Sequence, residues 1–277
     1  MISHHILLFF LIRHTMEQPR IPTSIEPVLQ NEDVYFYKPR EDLWLLQTAK
    51  GVPVSIYVLE GSEKALVIDT GNSIKNLKEN IEKVTKKPAI LALTHAHHDH
   101  TGSCNEFDTV YMHMGDKEML EKQGYTGKIE TIKPGHIFDL GDREVQVIEM
   151  FGHTTGSIGF LDKKGKFLVA GDSIGHTVCW MHLTKLPLES LLGVLRHLDS
   201  IKDQYTEIYT GHYNQSNRPL DHQYVKDLLD LVQNICYTND VHAEPFEWRE
   251  KLDFQPMIAY GNNGVGVVYN PNRRHFV

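Results

Sequence analysis

Three cysteines in 277 residues leave at least one unpaired, too few for a disulfide framework to carry the fold. Basic charge is also short. Lys and Arg number 28 against 36 Asp and Glu, a net charge of −8. No positive field exists to attract a phosphate backbone, which counts against nucleic acid as a partner. Long apolar runs are missing too: the strongest near the start, Ile6–Ile12 (ILLFFLI), is far short of a bilayer span. Ser3, His4 and His5 precede it instead of Lys or Arg, and no small-residue cleavage site follows. The expectation is a cytoplasmic protein without a membrane span, export through an atypical signal being the alternative. Residues 1–31 read as an N-terminal extension and 32–277 as one domain. Neither a fixed-period repeat nor a low-complexity linker interrupts the chain, so solenoids and disordered scaffolds drop out. What the sequence has in quantity is histidine, 17 of them.

Short β-type runs alternate with helical ones. Val54–Gly61 and Ala65–Gly71 are apolar and β-branched, and the three residues between them predict a hairpin. Asn72 or Ser73 is placed to cap a helix whose apolar face carries Ile74, Leu77, Ile81 and Val84. Strands are expected at Ala89–His95, Thr109–His113, Val145–Met150, Ser157–Asp162, Lys166–Asp172, Glu207–Tyr213 and Val265–Tyr269. Helices are expected to begin at Pro187 and Pro219, since proline suits a first helical turn. Interleaved strands and helices argue an α/β fold with helix-covered sheets.

The informative segment is THAHHDHTG, Thr94–Gly102. It sets His95, His97, His98, Asp99 and His100 directly after an apolar strand, where α/β proteins build their sites. Imidazole nitrogen and carboxylate oxygen both ligate zinc and similar ions. His95 and His97, two residues apart on an extended turn, point the same way and can grip one ion; Asp99 and His100 can face a second. His153 follows the strand VQVIEM, Asp172 ends KFLVAGD, His212 ends EIYTGH, and Asp69 follows ALVI. An aspartate at a strand end is ordinarily a turn former. Five metal-capable strand ends in one chain are another matter.

HxHxDH at His95–His100, then GHT at His153, GDS at Asp172 and GHY at His212, resembles the metallo-β-lactamase superfamily, in particular its glyoxalase II-like members. The resemblance implies an αββα four-layer sandwich, two mixed β-sheets packed face to face and flanked by helices, with a two-metal site along one edge. By motif position, His95, His97 and His153 would hold one divalent ion. Asp99, His100 and His212 would hold the other, and Asp172 would bridge them. Zinc is the expected metal, with manganese and iron as alternatives. Asp69 resembles the family's structural aspartate. His98 falls at the variable position and is not counted.

Two adjacent ions lower the pKa of a shared water and polarise the bond it attacks, so the implied chemistry is hydrolysis by a metal-bridging hydroxide. Asp99 is the expected catalytic residue, orienting that hydroxide and passing a proton to the leaving group. Within the family's patterns, Asp172 argues against β-lactams as the main substrate and His97 against redox iron chemistry. The expected substrate is a small thioester or lactone. A phosphodiester is the alternative, a β-lactamase-like side activity another, and a metal protein without turnover the last. Thr155 and Ser157 depart from the GHTPGH-type segment of the family's thioesterases. The loop Ser173–Lys185, with His176, Cys179, Trp180, Met181 and His182, leaves the metal edge either to shape substrate access or, at Trp180 and Met181, to pack the core. Tyr213 is open to either substrate or core, and Arg273–Arg274 reads as solvated.

Overall fold

The structure, a computed structural model, describes residues 26–175, 178–215, 218–238 and 240–276. The run Ile6–Ile12 and His176 lie outside the described residues.

Period-two alternation decides the layering. In β4 (Ser55–Glu60) Tyr57 and Leu59 face one cluster of buried side chains, while Ile56 and Val58 face another. In β5 (Ala65–Ile68) Leu66 and Ile68 take the first face, Ala65 and Val67 the second. These strands belong to an eight-stranded sheet. Its other members are β1 (Leu29–Gln30), β2 (Val34–Arg40), β3 (Leu43–Thr48), β6 (Ala89–Ala92), β7 (Thr109–His113) and β8 (Lys128–Ile132), ordered as in the chain. Pairing is antiparallel from β1 to β5 and parallel from β5 to β8. The sheet is therefore mixed, and the hairpin expected at Val54–Gly71 is its β4–β5 turn.

The second sheet runs β14–β12–β11–β10–β9, from β9 (Ile137–Asp139), β10 (Glu144–Glu149), β11 (Ile158–Asp162), β12 (Phe167–Gly171) and β14 (Glu207–Thr210). Only β12 and β14 pair in parallel. Phe160, Phe167, Val169 and Tyr209 meet Tyr37, Leu45, Tyr57 and Leu59 of the first sheet in the central core. The outer face of sheet one is covered by α1 (Leu77–Ile81) and α3 (Lys117–Lys122). Two longer helices, α4 (Leu188–Ser200) and α5 (His222–Tyr237), cover sheet two. Helix, sheet, sheet, helix is the expected αββα order.

A third sheet was not foreseen. β13 (Cys179–Met181), β17 (Gly266–Tyr269), β16 (Met257–Tyr260) and β15 (Ala243–Pro245) form it, and β13 lies inside the loop expected after Asp172. Three-residue strands have too little sequence to show a period.

Other local expectations shift for identifiable reasons. The helix after Gly71 begins at Leu77 and is capped by neither Asn72 nor Ser73. The Glu106 carboxylate instead accepts from the backbone N–H groups of Leu77 and Lys78, both at 2.9 Å. Asp221, not Pro219, caps α5, accepting from Tyr224 N at 3.0 Å. Arg273 is exposed as expected, its Nη1 donating to the Thr184 carbonyl at 2.9 Å, whereas Arg274 is half-buried and donates to the Ile235 carbonyl at 3.3 Å. Among the described residues no helix is long and apolar enough to cross a membrane.

Candidate metal centre

The ends of β5, β6, β12 and β14 lie along one edge of the two facing sheets, and every sequence-predicted donor projects there. His95 and His97 lie on the turn after β6. His97 is the N-cap of the one-turn helix α2 (His98–Thr101), which presents Asp99 and His100. His153 comes from the turn after β10, Asp172 directly follows β12, and His212 lies two residues past β14. His98 points to solvent, as its place in the motif implies.

The nitrogens converge. His97 Nδ1 lies 3.1 Å from His95 Nε2 and 2.9 Å from His153 Nε2. Asp172 sits between the two halves of the cluster, its carboxylate 3.4 Å from His100 Nε2, 3.2 Å from His212 Nε2 and 3.8 Å from His153 Nε2. Asp99 Oδ2 is 3.4 Å from His212 Nε2 and 3.8 Å from His100 Nε2. Three overlapping triads result: His95–His97–His153, Asp99–His100–His212, and His95–His100–Asp172.

Each ring is aimed by what its other nitrogen touches. His153 Nδ1 meets the Trp180 carbonyl at 2.8 Å, and His212 Nδ1 meets the Pro53 carbonyl at 2.9 Å. His100 Nδ1 lies 2.9 Å from Asp69 Oδ2, and His95 Nδ1 lies 3.0 Å from Thr94 Oγ1. Four rings thus turn Nε2 inward, and only His97 offers Nδ1. Asp69 also accepts from Thr94 N and Thr94 Oγ1, at 2.8 and 2.7 Å. It holds both sides of the motif loop from a left-handed backbone conformation, φ 66°. Bonding a ligand's second nitrogen to oxygen in this way fixes its tautomer and orientation.

Two glycines make room. A Cβ on Gly211 would overlap Asp172 Oδ1 and stand 2.6 Å from His100 Cε1; one on Gly171, already at φ +55°, would stand 2.6 Å from Thr94.

One residue was missed in the sequence. Asp116, 1% exposed, accepts from Ala96 N at 3.0 Å, Thr154 Oγ1 at 2.6 Å and Gly156 N at 2.8 Å. It clasps the His95–His100 turn to the His153 turn. Its signal, an aspartate just after a strand, is shared with any turn, so sequence alone does not single it out. Tyr213 is settled toward the core: it is buried, and its ring stacks on Tyr209 at 5.7 Å.

Electrostatics divide the cluster. Burial, reinforced by the neighbouring imidazoles, drives His95 well below its ordinary value; burial also lowers His97 and takes His153 to about 4. These three are neutral imidazoles at pH 7, the form that ligates metal. For His212 burial acts downward, but Asp172 and Asp99 outweigh it and raise the group to about 10. His100 goes up for the same reason, through Asp172 and Asp69. Burial works against ionised Asp172 and Asp99, yet His212 and His100 hold both carboxylates low, Asp99 at about 2.

The donor set fits divalent metal. His100 Nε2 and Asp172 Oδ1 are buried and face each other at 3.4 Å, yet neither makes a hydrogen bond. Orphaned lone pairs in an interior are costly, and a cation between them removes the cost. A cavity of about 800 Å³ lies elsewhere, against α1 and β7, and none of these donors lines it.

The Lactamase_B family model, metallo-beta-lactamase superfamily, matches residues 49–212, a span that holds every donor described above. The chain belongs to the metallo-β-lactamase superfamily. Among its relatives, the human protein named acyl-coenzyme A thioesterase MBLAC2 is 26% identical over 209 residues, covering 59% of this chain and 74% of that one. A hydroxyacylglutathione hydrolase of Bartonella henselae is 29% identical over 128 residues, 46% of this chain and 50% of that one. A metallo-beta-lactamase from Pontibacter korlensis superposes with a TM-score of 0.60 at 17% identity, covering 73% of this chain and 99% of that one, which speaks to fold alone. The superfamily membership and these relatives make the chain a hydrolase.

Proposed function

We propose that the chain is a two-metal hydrolase of a small thioester, with a lactone as the nearest alternative substrate. The observation that carries the metal reading is the convergence of seven His and Asp donors on one sheet edge, with two facing lone pairs left unbonded. The relatives named as a thioesterase and a hydroxyacylglutathione hydrolase support the thioester.

His95, His97 and His153 would hold one divalent ion, zinc by preference. Asp99, His100 and His212 would hold the other, with Asp172 shared. Ions bound there would supply Lewis-acid polarisation of a carbonyl and a nucleophilic water at neutral pH.

The chain's own residues do the rest. Asp172, with 10% of its side chain exposed, stays ionised beside His212 and His100. Asp99 is 35% exposed and faces outward from the same cluster. Its carboxylate is placed to take a proton from an attacking water and return it to the leaving thiolate. No cysteine competes as a nucleophile. Cys104, Cys179 and Cys236 are all buried, and burial pushes their thiols to about 12, 11 and 11. Ser173 Oγ is committed to the Met150 carbonyl at 2.8 Å.

The test is acid release by zinc-loaded protein offered a glutathione thioester, an acyl lactone, a β-lactam and a phosphodiester. Chelator-sensitive release from the thioester is expected to exceed the rest. Turnover confined to the phosphodiester or the β-lactam would overturn the proposal.

A further inference from the structure

β13 brings a second chemical surface to the metal edge. The Trp180 carbonyl meets His153 Nδ1 at 2.8 Å, so the Trp180 side chain begins beside the donor cluster. Its indole ring gathers with those of His182, Phe246 and Trp248. Ring centroids are 5.6 Å apart for Trp180–Phe246, 5.7 Å for Trp180–Trp248 and 4.5 Å for His182–Trp248. Trp180, Phe246 and Trp248 are half-buried.

The nitrogens of this cluster are its odd feature. His182 is 2% exposed, and among the described residues neither of its ring nitrogens has a hydrogen-bond partner; Trp248 Nε1 is likewise buried and unpartnered there. Native interiors rarely leave such atoms unmet, because the lost water is not replaced. Burial takes His182 down to about 4, so at neutral pH its ring carries one donor and one acceptor. Trp248 adds a second donor. Phe246 and Trp248 sit on the stretch 246–256, which has no regular secondary structure. That stretch closes at its base, where Phe246 N donates to the Pro256 carbonyl at 2.8 Å and Gln255 Nε2 to the Phe246 carbonyl at 2.9 Å.

We propose that Trp180, His182, Phe246 and Trp248 form a subsite for a purine base carried on the leaving-group side of the substrate. The inference rests on the thioester reading for the placement of that base. A hydrocarbon chain would use the ring faces but leave three nitrogens unpaired, and a sugar would pair the nitrogens but waste the faces. A purine offers both a π-face and an edge with donors and acceptors. In a thioester such a base belongs to the thiol carrier, which departs after attack. Entry requires the 246–256 stretch to lift Trp248 from His182.

The experiment compares kcat/KM for hexanoyl-coenzyme A and hexanoyl-phosphopantetheine, which share the acyl group and the whole pantetheine arm and differ in the adenosine phosphate that ends the coenzyme. Quenching of tryptophan fluorescence by adenosine monophosphate is followed in parallel. The expected preference for the adenine carrier is about tenfold or more, the usual scale of base stacking. His182→Phe and the less buried Trp248→Phe, each checked by thermal melting, should each reduce that ratio severalfold and weaken the quench. Equal kcat/KM for the two thioesters with no quench overturns the subsite while leaving the hydrolase reading intact. A saturable quench, weakened in Trp248→Phe, with neither thioester cleaved supports a base-binding cluster and defeats the thioester reading.

Discussion

At the scale of single residues, the site divides into groups that touch and groups that aim. Asp172 touches both halves of the cluster, so Asp172→Ala removes the donor the two proposed metal sites share and takes a counter-charge from His212, which keeps Asp99, and from His100, which keeps Asp69. The expected outcome is loss of at least one metal equivalent by elemental analysis, and a fall in turnover beyond the ~10–100-fold typical of outer partners. Retention of both metal content and activity would contradict its bridging place. Asp116 only aims. Asp116→Ala strands Ala96 N and Gly156 N in the interior, each at about 1–3 kcal/mol, while Thr154 Oγ1 keeps Ser157 Oγ at 2.8 Å. A Tm lowered by several degrees and a metal affinity reduced ~10–100-fold are expected, read by melting and by metal titration. The candidate donors were legible because metal chemistry admits few residue types and the motif fixes their spacing. Asp116 was not, because what distinguishes it is three donors from two separate turns.

At the scale of elements, tertiary contacts override local signals at the short helices. α1 has only five residues, so its stability comes from its surroundings rather than from propensity. Its cap is borrowed from Glu106, on the far side of β6, an arrangement that places an acidic group at a helix N-terminus where the dipole favours it. Glu106→Ala is expected to cost about 1 kcal/mol, a drop in Tm of roughly 2–4 °C, with Asn72→Ala and Ser73→Ala nearly silent. A larger effect at Asn72 or Ser73 than at Glu106 would restore the local cap. The longer helices were legible because 13 and 16 residues of one period outweigh such borrowed contacts, and the central strands because their short runs are apolar, β-branched and bounded by turn residues.

At the scale of the whole molecule, the buried histidines make stability depend on pH in two opposed directions once metal is removed. His153 lies at about 4 in the fold against an ordinary 6.5. Between those values the unfolded chain binds the extra proton, so this contribution is present above pH 6.5 and lost as the pH falls toward 4. His212 lies at about 10, so its contribution is full below pH 6.5 and is lost as the pH rises toward 10. Metal-stripped protein should therefore melt highest near pH 6.5 and fall away on both sides, and a melting profile flat from pH 4 to 10 would refute the assignment. The sequence by itself determined the α/β class, the order of the main strands, and which side chains could hold metal, since each of these follows from periodicity or ligand chemistry within a short window. Only the tertiary structure decided that the donors meet at one edge, that Asp116 and Glu106 brace the turns behind them, that Tyr213 faces the core, and that a third sheet brings Trp180 to His153. Those facts depend on contacts between segments tens of residues apart, where no local pattern records the partner.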